Sequence, residues 1–405
     1  MLDGLYSNGG GRKMKAKRVG MEVSIAASEA VKMANVDSIA AYPITPQTHI
    51  VEHLSELVAD GELDAEFIPV ESEHSALSVC AGTSAVGART FTATSAQGLA
   101  LMHEILFIVS AMRLPIVMMV ANRALSSPLS IWNDHSDVMA SRDCGWIQIF
   151  TENGQEVFDQ TFCAFRMAED HRVLLPMIIN LDGFTLSHVV EPLELVSQEL
   201  VDEFLPPYQP VYTLHPDKPM TMGAFGMPEV YAEAKKAQDV ALRDSYPVIL
   251  EVWKKWGEMT GRHYVPMEKY RMEGAKVAIL TMGSFGEIAM EAVDRMREKG
   301  IAVGLLKLRL WRPFPFEDIR QAVQGLETLA VLDRAISFGG IGGPVCSEIK
   351  AALYQQAKRP RVVSFIAGLG GRDVPPEQFE EMVQQALKTK GKRKVEEFIT
   401  IGIRG

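Results

Sequence analysis

Three short stretches hold side chains that could do acid–base or anion chemistry. Glu71-Ser72-Glu73-His74-Ser75 directly follows the apolar run Phe67–Val70 and opens a helix rich in small residues, among them Ala76, Ala81, Gly82, Ala85 and Gly87. An acidic first turn complements the helix macrodipole and needs no further function. Small residues behind the carboxylate also admit a flat ligand, so the same group can act as proton partner to a bound cofactor. Arg123 follows the run Pro115–Val120. A guanidinium at a strand end matches a carboxylate bidentately and suits a small acid; the competing reading is a surface ion pair. Tyr42-Pro43-Ile44-Thr45-Pro46 stands where a strand stops and a helix begins. Its prolines stiffen the loop, and Thr45 adds a hydroxyl to a helix start that favours anions. An ordinary cap with rigid flanks reads the same way.

Other clusters carry less. Trp132-Asn133-Asp134-His135-Ser136-Asp137 is polar and aromatic, but no helical spacing supports metal binding by Asp134, His135 and Asp137. No metal ligand is expected in this chain. His135 is read as a hydrogen-bonded structural residue rather than a proton shuttle. Ser337-Phe338-Gly339-Gly340-Ile341-Gly342-Gly343-Pro344 precedes a helix, yet it is not GxGxxG and lacks the GK[ST] ending of a P-loop. A tight turn or a subunit contact is the better reading. No GxSxG, HExxH or EF-hand pattern is present.

The elements that must position these residues alternate. Helix-like Ser24–Ala34, Pro46–Leu57, Glu73–Val86 and Gly98–Ala111 interleave with strand-like Asp37–Tyr42, Phe67–Val70, Thr90–Ala93, Ile116–Val120 and Met177–Leu181. Short apolar strands separated by helices imply βαβ units and a doubly wound, mainly parallel sheet. Ligands of such sheets bind at the carboxyl ends of the strands. The rhythm breaks near Val189, where prolines accumulate, and resumes at Lys276 with strands Val277–Met282, Val303–Leu308, Leu329–Leu332 and Val362–Ala367. The expected division is a tail over residues 1–20, a first α/β domain over 21–190, and an extended arm with a connecting helix over 191–270. A smaller α/β domain over 271–390 and a basic tail over 391–405 complete it.

Composition narrows the function. The 405 residues are 47% hydrophobic and 23% charged, as in globular chains, and the net charge of −10 argues against a nucleic-acid partner. Four cysteines without any CxxC pair cannot build an iron–sulfur cluster locally, so any electron-transfer cluster belongs to another chain. Reduced, scattered cysteines suit a cytoplasmic protein. No apolar run is long enough to span a membrane.

Taken in order, Tyr42–Pro46, Glu71–Ser75, Arg123 with Trp132–Asp137, Leu181-Asp182-Gly183-Phe184, Arg312-Pro313-Phe314-Pro315 and Gly368-Leu369-Gly370-Gly371 resemble the α subunit of pyruvate:ferredoxin oxidoreductases. The likeness runs from about residue 20 to 390. It implies a pyrimidine-type thiamine diphosphate domain followed by a transketolase C-terminal-like domain. It also implies oxidative decarboxylation of a 2-oxoacid, acyl transfer to coenzyme A, and two electrons passed to ferredoxin or flavodoxin. The cofactor's diphosphate, Mg²⁺ and a [4Fe–4S] cluster would lie on a β subunit; γ and ferredoxin-like δ subunits would complete the assembly. By the resemblance, Glu73 matches the carboxylate that hydrogen-bonds the cofactor's aminopyrimidine ring, and Pro43, Ile44 and Thr45 line the cofactor. Thr45 lies beside the substrate and Arg123 clamps the substrate carboxylate. Thr45 favours pyruvate. Related enzymes of 2-oxoglutarate, 2-oxoisovalerate or oxalate, and a non-catalytic scaffold chain, are the alternatives; a stand-alone Rossmann-type dehydrogenase is the remaining class.

Overall fold

A computed structural model describes residues 17–392 and 396–404. Most of the expected N-terminal tail and part of the basic run, Arg393 and Lys394, lie outside the described residues.

The first stretch runs β1 (Lys17–Glu22), α1 (Val23–Met33), β2 (Ser38–Ala41), α2 (Thr48–Ala59), β3 (Glu66–Pro69), α3 (Glu73–Ala85) and β4 (Thr90–Thr94). It continues through α4 (Ala96–Leu101), α5 (His103–Ala111), β5 (Val117–Asn122), α6 (Ser136–Ala140), β6 (Ile147–Phe150), α7 (Gly154–Ala168) and β7 (Met177–Asp182). β8 (Val190–Leu195), α8 (Gln198–Phe204), α9 (Pro228–Thr260) and β9 (Met267–Tyr270) connect it to the rest. The second stretch comprises β10 (Val277–Thr281), α10 (Phe285–Glu298), β11 (Val303–Leu308), β12 (Leu310–Arg312), α11 (Phe316–Ala322) and β13 (Thr328–Asp333). It ends with α12 (Pro344–Leu353), β14 (Arg361–Ile366), α13 (Pro376–Lys388) and β15 (Ile399–Thr400).

Two sheets organise these elements. The first has the order β12-β6-β7-β5-β4-β2-β3, the second β15-β14-β13-β10-β11-β9. Pairing is parallel except where β12 meets β6 and β9 meets β11. β5 and β7 are buried along their whole length, as the unbroken apolar runs of a parallel sheet covered on both faces require. The strand order reverses between β2 and β4. Their carboxyl ends therefore bound a topological switch crevice.

Several elements depart from the sequence reading. Residues 17–20, expected in a tail, open β1, which pairs antiparallel with β8 over six residues. Part of the expected C-terminal tail forms β15 beside β14. Pro46 is not in the first turn of α2; it sits in the preceding turn, and the helix starts at Thr48. The helix expected over Gly98–Ala111 is two helices meeting at Met102. β12 leaves the second sheet's sequence region and pairs with β6 of the first. One apolar cluster accordingly contains Met118, Val120 and Trp146 together with Leu306, Trp311 and Val331. The two sheets share a core.

Candidate active site

The crevice is built by strand ends. After β2, the loop 42–47 is held by Gln47, whose amide donates to the carbonyls of Tyr42 at 2.8 Å and Ala93 at 3.3 Å. The loop is thereby tied across to β4 and presents Tyr42, Pro43 and Thr45 outward.

After β3, Ser72 caps α3 by accepting the Ser75 amide at 3.2 Å. The cap sets the orientation of the two carboxylates. Glu71 lies outside the helix, exposed and bonded by the Ser75 hydroxyl. Glu73 is the first helical residue and only 6% exposed. It has no hydrogen bond or ion pair among the described residues, so a buried carboxylate stands without a partner. Uncompensated buried acids are costly, and the usual reason to keep one is a ligand that meets it. Its side chain lies over Gly98: a Cβ there would come within 2.7 Å of Glu73 Oε1 and 2.4 Å of Thr94 Oγ1. Buried oxygens of Thr94, Ser95 and Gln97 are likewise unpartnered. A largely buried acid, the orphan Thr94 hydroxyl and the missing side chain at Gly98 meet at one place, the kind of polar edge that a flat ring with donors and acceptors, such as a pyrimidine, would need.

After β5 comes Arg123, 7% exposed. Its Nε donates to Ser130 O at 2.8 Å and its Nη1 to Thr45 O at 2.9 Å. Both acceptors are neutral carbonyls, and Arg123 forms no ion pair among the described residues. Burial lowers its pKa, with Asp137 opposing. A guanidinium held rigid by carbonyls keeps its charge available for an incoming anion.

Asp137 braces both strand ends. Its Oδ2 accepts the amides of Ala96 at 3.1 Å and Arg123 at 3.0 Å, and its Oδ1 accepts the Asn122 amide group at 3.1 Å. Ala96 has φ 41°, a left-handed conformation that alanine avoids and that this bond helps hold. Burial pushes Asp137 up to about 7 against those donors. By type and spacing alone, Asp137 reads as no more than a weakly supported metal-ligand candidate. Gln47, Thr94–Gly98 and this bracing role went unrecognised.

A second network ties the sheets together. Asp182, ending β7, accepts His135 Nε2 at 2.9 Å, Arg334 Nη1 at 2.7 Å and the Ser284 amide at 2.9 Å. Burial raises its pKa, but Arg334 and then His135 draw it well below the ordinary carboxylate value. His135 is thus buried and hydrogen-bonded within this network. Asp134 accepts the Gly370 amide at 3.1 Å, and Gly371, at φ +76°, leaves no room for a Cβ against Trp132. The glycines at 368–371 let the second unit close on the Trp132–Asp137 loop. The glycine-rich segment 337–343 leads into α12, whose first turn is capped by Asp333, which accepts the amides of Val345 at 2.7 Å and Cys346 at 3.1 Å. Arg312–Pro315 lines a cavity of about 1070 Å³ against α9, to which Thr45, Glu73 and Arg123 do not contribute.

Residues 29–253 match the family described as pyruvate flavodoxin/ferredoxin oxidoreductase, thiamine diphosphate-binding. The chain belongs to this family. Residues 275–379 of this oxidoreductase-family chain also match the pyruvate:ferredoxin oxidoreductase core domain II. It is 50% identical over 360 residues to pyruvate synthase subunit PorA of Methanothermobacter thermautotrophicus, covering 89% of this chain and 93% of the relative. Identity to PorA of Thermotoga maritima is 46%, covering 92% and 95%. Ketoisovalerate oxidoreductase subunit VorA of Pyrococcus abyssi is 44% identical, covering 90% and 92%. In fold, the family member resembles a 2-oxoglutarate:ferredoxin oxidoreductase from Magnetococcus marinus, with TM-score 0.69, 19% identity, and coverage of 91% of this chain and 65% of that one. A split-gene transketolase aligns with TM-score 0.54 and 14% identity over 92% of this chain and all of that one. The expected α/β architecture of a thiamine diphosphate-binding fold with a transketolase relationship is therefore correct.

Proposed function

We propose that this chain is the α subunit of a pyruvate synthase, acting with partner subunits to convert pyruvate and coenzyme A to acetyl-CoA and CO₂ with electrons passed to ferredoxin or flavodoxin. The observation that carries the reading is a buried acid and a buried cation, Glu73 and Arg123, both left without ionic partners at one switch crevice. Identity of 46–50% to PorA subunits over nearly the whole chain supports pyruvate as substrate.

Thiamine diphosphate, when bound, supplies a nucleophilic carbon for the 2-oxo group and a sink for the electrons that departing CO₂ leaves behind. Glu73 holds the pyrimidine edge by a hydrogen bond and shares a proton with it; burial keeps water from competing for that bond. Pro43 and Ile44 give a stiff wall, and Thr45 brings a hydroxyl to the substrate side. Arg123 grips the substrate carboxylate and sets its angle to the reacting carbon.

Burial pushes the thiols of Cys80 and Cys144 up to about 12 and that of Cys346 to about 11, and lifts Cys163 well above its usual value. All four cysteines are buried, and none belongs to a metal-type ligand group among the described residues, which supports placing the [4Fe–4S] clusters on β and δ-type partners; the reading puts the diphosphate and Mg²⁺ on the β subunit. No helix among the described residues is long and apolar enough to cross a membrane.

The test is reduction of methyl viologen or ferredoxin by the assembled complex with pyruvate, 2-oxoglutarate, 2-oxoisovalerate and oxalate, each with and without coenzyme A. Pyruvate with coenzyme A is expected to give the highest kcat/KM, and the chain alone no turnover. The 44% identity to VorA favours 2-oxoisovalerate as the second reading, and a higher kcat/KM with that acid would install it.

A further inference from the structure

Glu22, His49 and His188 meet on the far side of the loop that follows β7. They come from the end of β1, the first turn of α2 and the β7–β8 connection, and one ligand-type atom of each lies within 4.8 Å of the other two. Backbone bonds hold the arrangement. Glu22 stands opposite Val190 in the β1–β8 ladder, and the amides of Val23 and Ser24 donate to Val189 O and Ser187 O, each at 3.0 Å. Ser24 Oγ adds a 2.7 Å bond to the same Ser187 carbonyl. His49 Nδ1 lies 2.6 Å from Glu22 Oε1. The His49 and His188 rings are 4.4 Å apart between centroids.

We infer that this trio binds a divalent transition-metal ion of the zinc type. Two imidazoles and a carboxylate are a donor set that zinc favours, with water filling the fourth position. His49 is 43% exposed on its side chain, which gives that water access. His188 is already oriented as outer-shell partners orient metal ligands: its Nδ1 is 2.7 Å from Ser187 Oγ, which also accepts the Phe184 amide at 2.9 Å. That bond leaves Nε2 of His188 for the metal. Phe184 packs on the same ring at 4.6 Å and limits its rotation. A bound ion would fasten the 183–189 loop to β1 and α2. That loop backs the candidate site, since a Cβ at Gly183 would fall 2.5 Å from Pro46 Cγ.

The bland alternative is a Glu22–His49 ion pair with a stacked histidine. Calorimetric titration of the full chain, stripped by chelator, with Zn²⁺ separates the two, with Co²⁺ as spectroscopic probe. The expected result is about one Zn²⁺ per chain and a raised melting temperature. His49→Gln and His188→Gln should each weaken binding more than about 100-fold, beyond the effect of an outer-shell change, without altering the metal-free melting temperature. Zn²⁺ should also protect His49 and His188 of the unaltered chain from diethyl pyrocarbonate, mapped by mass spectrometry, which decides the matter if a variant folds poorly. Absence of saturable Zn²⁺ binding, or binding that leaves both histidines reactive and survives both substitutions, overturns the site.

Discussion

The guanidinium of Arg123 donates to the backbone carbonyl of Thr45 at 2.9 Å, joining residues 78 apart in sequence. The bond makes the loop after β2 and the end of β5 one rigid body. It also holds the guanidinium of Arg123 in place, with no carboxylate in ion-pair contact among the described residues.

Replacing Arg123 by Lys should therefore act on substrate capture. Lysine cannot bond Thr45, Ser130 and a substrate carboxylate with one fork. Loss of one charge-assisted hydrogen bond, worth about 1.5–3 kcal/mol, predicts a KM for pyruvate raised roughly 10- to 150-fold. Steady-state kinetics of the assembled complex measure it; an unchanged KM removes Arg123 from the substrate site.

Glu73→Gln keeps the shape and removes the acid. Turnover in the assembled complex should fall about 10²- to 10⁴-fold, the usual worth of a positioned proton partner, while gel filtration shows an intact assembly. Near-normal turnover would favour the scaffold reading of this chain.

Gly98→Ala tests the cradle without touching an ionisable group. The new methyl would overlap Glu73 Oε1 and Thr94 Oγ1, so Glu73 must shift. Overpacking of this kind costs about 1–3 kcal/mol. Cofactor-dependent activity should fall by more than the small drop in melting temperature explains, because the displaced group is the acid itself.

Asp182→Asn should loosen the junction between the sheets. Removing the charge leaves Arg334 buried beside a neutral amide, a loss of about 3–5 kcal/mol. The folded pKa of Asp182 lies below its reference value of 3.8, so its contribution is complete above that value and disappears as pH falls further. The stability gap between the two proteins in denaturant melts should be constant from pH 7 to about 4 and narrow progressively as pH falls below that. A gap that stays unchanged well below pH 4 would show that the charge is not what matters.

What was legible in the sequence was local. Val303–Leu308 read correctly to the residue because a mainly apolar run of strand length announces itself. Ile147–Phe150 is interrupted by Gln148 and only four residues long, and Leu310–Arg312 is three residues pressed between a strand and a proline. Such pieces become strands only because they find each other across the fold. Thr45, Glu73 and Arg123 could be picked out by type and position. Asp137 could not, because its role lies in the amides of Ala96 and Arg123 that it accepts, and those converge only after folding. Gly98 likewise looks like an ordinary helix onset until Glu73 is laid across it. Glu22, His49 and His188 lie before, within and after the stretch that builds β2 to β7, with no spacing to connect them.

The β12–β6 pairing has a further bearing on how this polypeptide can be handled. A fragment cut near residue 270 would strip the last ribbon from its own larger sheet, leaving the border at Ile147–Phe150 raw and adhesive. The complementary fragment would carry Leu310, Trp311 and Arg312 with nowhere to dock. Neither piece should be a faithful stand-in for its half of the whole, and co-expression of both, rather than either alone, is the way to recover soluble material from a severed gene.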